Sequence, residues 1–249
     1  MSLASERVRQ LDEAVRRNIE RFDILSVPSA SFADLCALPA DKVIVATNGT
    51  DPQQIVPRPF GDAPIVAMVS GAAPGRGIEL LIHTMAAVRS ELPAAVLQLA
   101  LTSTGPDSQR YLDELTRANQ ALGWVKIESV PYRDLGAFLS RAQALVIPHP
   151  PHAYLDAATP VKLFDGMAAG RPTAATPRVE TARILERQEA GVVAGGDTID
   201  DLGEAILRLL TDEAMRRRLG ANARRAAVEE FDWRLIAERL ATAVLDRIG

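Results

Sequence analysis

The stretch PIVAMVSGAAPGRGIELLIHTMAAVRSE, Pro64 to Glu91, decides how the chain folds. Pro64–Val69 is a short apolar run of the kind that makes a buried strand. Gly71, Gly75 and Gly77 then punctuate a turn, and from Ile78 the apolar residues recur at helical spacing. Strand, glycine turn and helix make the first part of a βαβ unit, and the alternation continues downstream. Strands are expected at Ala95–Leu101, Val125–Ser129, Ala144–Ile147, Thr173–Ala175 and Val192–Val193, with helices over 108–122, 133–141, 160–169 and 180–188. The pattern predicts an α/β fold: a doubly wound, Rossmann-like parallel sheet with extra N- and C-terminal helices. Ligands of such sheets sit beyond the carboxyl ends of the strands, here 70–77, 102–107, 130–133 and 148–159.

Outside this block a helix is expected over 5–20 and short strands at Asp23–Val27 and Val43–Ala46, followed by the turn residues Thr47-Asn48-Gly49-Thr50-Asp51. Residues 51–63, rich in proline, read as a linker. Helices fill 198–247, with breaks expected at Gly220 and at Phe231-Asp232-Trp233.

Composition narrows the function. The 249 residues are 47% hydrophobic and 24% charged, enough to bury a core. The formal net charge of −4 offers no basic surface for duplex nucleic acid, so no nucleic-acid partner is expected, while a local basic pocket for a phosphorylated ligand stays open. A single cysteine, Cys36, excludes an intrachain disulfide and a cysteine metal cluster, and reads as a small core residue. No apolar run approaches the ~20 residues that span a bilayer. With no signal-peptide core at the start, a cytoplasmic location is expected.

The strongest motif is ATPVKLFDGMAAGRP, Ala158–Pro172. Thr159 is a good N-cap and Pro160 suits the first helical position, so the helix should start there and stop at Gly170. The free N–H groups at such a start attract anions. Asp165 follows Pro160 by five residues, roughly 7–8 Å along the axis. That is the reach from a bound phosphate to a ribose hydroxyl pair, with Lys162 adding positive charge. The same residues also fit an ordinary capped helix with a Lys162–Asp165 surface ion pair.

Other candidates are weaker. The loop Gly71–Gly77 lets backbone approach a ligand, with Arg76 its one charge; it is neither GxGxxG nor a P-loop, which counts against a dinucleotide oxidoreductase. Ser103 follows a strand and suits a phosphate or sugar hydroxyl; Tyr132 follows another and suits a base; taken alone, a plain loop and plain packing are the favoured readings. His149 and His152 read as loop histidines beside a cleft, not as metal ligands, and no metal site is expected. No GxSxG elbow occurs.

These motifs together resemble the second half of the group 1 retaining glycosyltransferases of GT-B fold, over about Ile24 to Gly249. Asn48-Gly49-Thr50-Asp51 is similar to the family's NGxD segment, Arg76-Gly77 to its KG helix start, and Tyr132-Arg133-Asp134-Leu135 to the stretch lining the nucleobase. Pro160 to Pro172 resembles the PxKxxE signature, and Phe231-Asp232-Trp233 the FxW that opens the last helix. The resemblance implies a domain that binds a nucleotide-diphosphate sugar. Gly71, Arg76, Ser103, Tyr132, Thr159, Pro160, Val161, Lys162 and Asp165 would contact the donor, Asp165 would hold the ribose, and Arg76 and Lys162 would stabilise the leaving group. No cofactor is implied, the nucleotide sugar being a substrate. Three positions depart from the family: Asp165 stands for the usual Glu, Ala157 replaces a second acidic residue eight positions earlier, and Gly71-Ala72 replaces an arginine.

The resemblance also divides the chain: 1–55 as a remnant of the acceptor-side domain and the connection, 56–230 as the nucleotide-sugar domain, and 231–249 as a helix crossing back. The acceptor (saccharide, lipid-linked or small molecule) is unspecified, and a partner chain or a further N-terminal domain is expected to supply its site. A partner-dependent, non-catalytic nucleotide-sugar-binding subunit and a sugar-nucleotide epimerase are the alternatives. Arg216–Arg218 and Arg224–Arg225 read as solvated helix faces, with peripheral docking at the inner membrane face as the other reading.

Overall fold

A computed structural model describes residues 16–248 of the chain. The helix expected over 5–20 therefore lies mostly outside the described residues; residues 16–21 are helical. Next comes a small unit in which β1 (Leu25–Val27) and β2 (Val43–Val45) pair in parallel around α1 (Ala30–Leu35).

The larger unit is a six-stranded sheet, parallel throughout. Its strands are β3 (Ile65–Gly71), β4 (Val96–Thr102), β5 (Val125–Glu128), β6 (Ala144–Ile147), β7 (Thr173–Ala175) and β8 (Gly191–Val193). The order β5-β4-β3-β6-β7-β8 makes it doubly wound, reversing direction between β3 and β6. The helices are α2 (Ile78–Glu91), α3 (Pro106–Asn119), α4 (Leu135–Arg141), α5 (Ala153–Ala157), α6 (Val161–Ala168), α7 (Val179–Arg187), α8 (Ile199–Thr211), α9 (Glu213–Glu229) and α10 (Trp233–Ile248).

The pleat sorts the core. Side chains alternate across a strand, so Val66, Met68, Leu97, Leu99 and Val146 face α2 and α8, while Ala67, Ala100, Leu145 and Ile147 face α4, α6 and α9. Both faces are covered, which is why the central strands β3 and β6 are almost continuously apolar, while the edge strand β5 still alternates.

Several expectations need correcting. The loop 148–159 contains α5, capped by the His152 ring accepting from the Tyr154 N–H at 3.1 Å. The C-terminal break falls at Asp212, whose carboxylate accepts from the Met215 N–H at 2.8 Å and starts α9. Gly220 lies inside α9; there a Cβ would come within 2.5 Å of the Gly170 carbonyl oxygen, so glycine serves close packing, not helix breaking. Residues 51–63 are mostly exposed but anchored at one end: Ile55 is fully buried, and Arg224 donates to the Ile55 and Pro52 carbonyls at 2.9 and 3.0 Å. Arg216 is likewise buried, donating to the Leu209 carbonyl at 2.8 Å and lying over the Phe60 ring. These two arginines do not belong to a solvated face. Cys36 is exposed, because it ends the short α1 instead of facing a core. No helix among the described residues is long and apolar enough to cross a membrane.

Candidate functional site

The sheet reversal between β3 and β6 opens a crevice at the carboxyl ends of those strands, and two loops meet there. Gly77 has φ +77°, and a Cβ on it would sit 1.8 Å from the Pro148 carbonyl oxygen. Only glycine permits that approach, which brings the glycine turn carrying Arg76 against the loop after β6. Arg76, His149, Thr159, Pro160, Val161 and Lys162 line the resulting cleft, together with Pro28, Phe32 and Asn48 from the small N-terminal unit. The cleft encloses about 320 Å³, and among the described residues no carboxylate lines it.

The start of α6 differs by one residue from expectation. Pro160, at φ −70° and ψ 127°, is still extended and occupies the N-cap, and the first helical residue is Val161. Thr159 thus makes no cap. It is buried, and its carbonyl accepts from Asn48 Nδ2 at 2.6 Å. Leu163 N–H bonds the Pro160 carbonyl at 2.9 Å, while the amides of Val161 and Lys162 have no intrahelical partner. The far end closes as expected: Gly170, at φ +68°, donates to Met167 and Arg171 donates to Gly166, a Schellman motif.

Lys162 and Asp165 do not pair. Asp165 is 4% exposed, and its Oδ1 accepts from Thr50 Oγ1 at 2.9 Å and from the Tyr132 hydroxyl at 3.5 Å. Burial raises its pKa to about 6, against the opposing pull of those two hydrogen bonds. Lys162 remains in the cleft, its pKa lowered to about 8 by burial and then by the Arg76 charge. Tyr132, 47% exposed, has its hydroxyl pKa raised by burial and by the Asp165 charge.

The nine sequence-predicted residues therefore separate into groups. Arg76, Thr159, Pro160, Val161 and Lys162 share the cleft. Asp165, on α6, and Tyr132, in the turn that leads into α4, form a second pair outside the cleft lining. Gly71 ends β3 with open space in front of it. Ser103 is occupied locally, 3.1 Å from Ser108 Oγ, which in turn accepts from the Thr104 and Gly105 N–H groups. At the departed position, Ala157 is buried, and neighbouring Asp156 bonds Arg178 at 3.3 Å. Asn48, Thr50 and His149 were not predicted as site residues. Asn48 and Thr50 stood in a motif read as a connection, and a histidine among prolines carries no periodic signal.

A larger groove of about 700 Å³ lies beside β1 and α1. Its lining is mostly apolar, and Phe32 separates it from the cleft, lining both.

The match to known proteins agrees with this geometry. The family model for glycosyl transferases group 1 matches residues 63–212, more than half of the chain. The chain is 28% identical over 235 residues to the MMP alpha-(1->4)-mannosyltransferase of Mycolicibacterium hassiacum, covering 92% of itself and 54% of that protein. It is 26% identical over 194 residues to a GDP-mannose-dependent alpha-(1-6)-phosphatidylinositol monomannoside mannosyltransferase of Mycolicibacterium smegmatis, covering 76% of itself and 49% of the relative. It thus spans about half the length of these curated relatives. Among solved structures, Anabaena Alr3699/HepE in complex with UDP and glucose superposes with a TM-score of 0.77 at 18% identity, over 94% of this chain and 67% of that one. The chain belongs to the group 1 glycosyltransferases, with the doubly wound sheet of a GT-B half.

Proposed function

We propose that the cleft binds the diphosphate of a nucleotide sugar, and that the chain is the donor-binding half of a retaining glycosyltransferase. One observation carries this reading: two cations, Arg76 and Lys162, and the free amides opening α6 converge where the sheet reverses, with no carboxylate among the described lining residues. Such a cluster is costly in the empty protein and suits a ligand bearing at least two negative charges. The relative that depends on GDP-mannose and the fold neighbour crystallised with UDP and glucose support a sugar nucleotide over other phosphorylated ligands.

In this reading glycosyl transfer breaks the bond between the anomeric carbon and the diphosphate oxygen. Negative charge grows on the leaving phosphate, and Arg76, Lys162 and the Val161 and Lys162 amides offset it from fixed positions. One turn further along α6, Asp165 accepts the ribose hydroxyls, and half-exposed Tyr132 lies against the base. A partner chain or further domain supplies the acceptor face, and the protein works on the cytoplasmic side, dissolved or docked at the membrane surface.

Thermal unfolding with UDP, GDP, ADP, TDP and NAD in separate samples tests the donor reading. A ligand at ~100 times its dissociation constant adds ~2.7 kcal/mol. The expected result is a rise with one nucleoside diphosphate that Arg76→Ala reduces by about 1.5–3 kcal/mol of binding energy. A rise with NAD alone, or none with any nucleotide, rejects it.

A further inference from the structure

His149 sits in the proline-bounded loop after β6. It is 2% exposed, and neither ring nitrogen has a hydrogen-bond partner among the described residues. Its backbone is held in place, since its carbonyl accepts from Thr176 Oγ1 at 2.6 Å. A neutral imidazole carries one donor and one acceptor, and buried polar groups nearly always find partners. A ring left without either, yet lining a cleft, is placed for something that enters the cleft. Its neighbours say what. Lys162, Arg76 and Arg178 are the charges acting on it. Arg178 is already ion-paired with Asp197 at 2.6 Å and Asp156 at 3.3 Å, which leaves Lys162 and Arg76 to attract an anion.

We propose that His149 is a binding residue of the donor site, donating its ring N–H to a diphosphate oxygen of the nucleotide held by Arg76 and Lys162. The inference rests on the nucleoside-diphosphate reading given above. It adds a neutral donor to a site otherwise made of cations and amides. A neutral donor is directional where an ammonium is not, so His149 orients the phosphate. Burial, and next the charges of Lys162, Arg76 and Arg178, keep the ring neutral, its pKa lowered to about 3. The ring therefore offers the same N–H across the physiological range.

The test compares the wild-type chain with H149Q, H149F and R76A, titrated with UDP and GDP and with uridine and guanosine. H149F is expected to weaken diphosphate binding roughly 10- to 100-fold and to change nucleoside binding less than about twofold. H149Q keeps an N–H donor and is expected to recover most of the loss. Wild-type diphosphate affinity in H149F, with R76A weakened, overturns the inference and leaves the site reading standing. Equal loss of diphosphate and nucleoside in H149F makes the role structural and also overturns it. Absence of diphosphate binding by the wild type overturns the site reading and this inference together.

Should H149F not fold, the wild type still answers. The chain has three histidines, so the imidazole resonances are resolvable by NMR. The His149 ring signal is expected to shift on adding the diphosphate and to stay in place with the nucleoside. No diphosphate-dependent shift overturns the proposal.

Discussion

Two titrating side chains on α6 oppose one another across neutral pH. Asp165, with its pKa near 6, accepts ribose hydroxyls well only when ionised, so nucleotide affinity should fall as the pH drops through 6. Lys162, near 8, attracts phosphate only when protonated, so affinity should fall again as the pH rises through 8. Plotted against pH, the affinity is expected to be bell-shaped, with Asp165→Asn flattening the acid limb and Lys162→Met the alkaline one. Isothermal titration over roughly pH 5 to 9.5 checks both limbs. Stability moves the other way. Between the folded and unfolded pKa of Lys162 the unfolded chain binds the extra proton, so stability rises with pH over that window and the buried charge is a burden below it. Lys162→Met should therefore raise stability at neutral pH by about 1 kcal/mol while weakening nucleotide binding. Denaturant unfolding measures the first effect, and a variant less stable than the wild type would contradict it.

At the level of elements, the site depends on two pieces of secondary structure being pressed together. Gly75 and Gly77 share the same left-handed φ of +77°, but only Gly77 has backbone in front of it. Gly75→Ala should cost about 1–2 kcal/mol, the strain of a side chain in that conformation. Gly77→Ala adds a collision with the Pro148 carbonyl and should cost about 3 kcal/mol or more. It should also displace Arg76 and abolish nucleotide binding, whereas Gly75→Ala should retain it. Thermal unfolding and a binding titration of the pair separate strain from collision. Helices 78–91 and 160–169 were legible in the sequence because their apolar spacing and glycine ends are local signals. The cap of α6 was misplaced by one residue because Pro160 has a fixed φ but a free ψ, and tertiary contacts of Thr159 with Asn48 set that angle.

Across the whole molecule, the C-terminal helix is tied to the N-terminal unit. The Trp233 N–H bonds the Thr50 carbonyl at 3.1 Å, and Arg247 donates to the Asp41 and Val43 carbonyls at 2.6 and 2.7 Å. The same N-terminal unit leans on the sheet domain through Ser29 Oγ to the Ala157 carbonyl and Ser31 Oγ to Glu180, both at 2.6 Å. Because Pro28, Phe32 and Asn48 wall the cleft, the tie reaches the site. Removing residues from Trp233 onward should make residues 16–45 roughly tenfold more susceptible to limited proteolysis, leaving the six-stranded sheet resistant. Nucleotide affinity should fall as well. If the truncated chain is cut at the wild-type rate, α10 does not anchor that unit.

The sequence by itself determined the alternation of strands and helices, the parallel sheet, and the two segments, glycine turn and proline-started helix, that carry the cations of the cleft. These are consequences of periodicity and turn chemistry, which act over a few residues. Only the tertiary structure decided which polar groups meet. Asp165 turns to Thr50, 115 positions away, instead of to Lys162 three positions before it, because burying the inner face of α6 against the NGTD segment outweighs a weak ion pair at the surface. Arg216 and Arg224, charged and in an arginine-rich helix, became internal props because buried carbonyls of other segments needed donors. The sequence placed His149 beside a cleft but not its chemistry, which comes from a ring buried next to two cations, a property of packing that no spacing in the chain records.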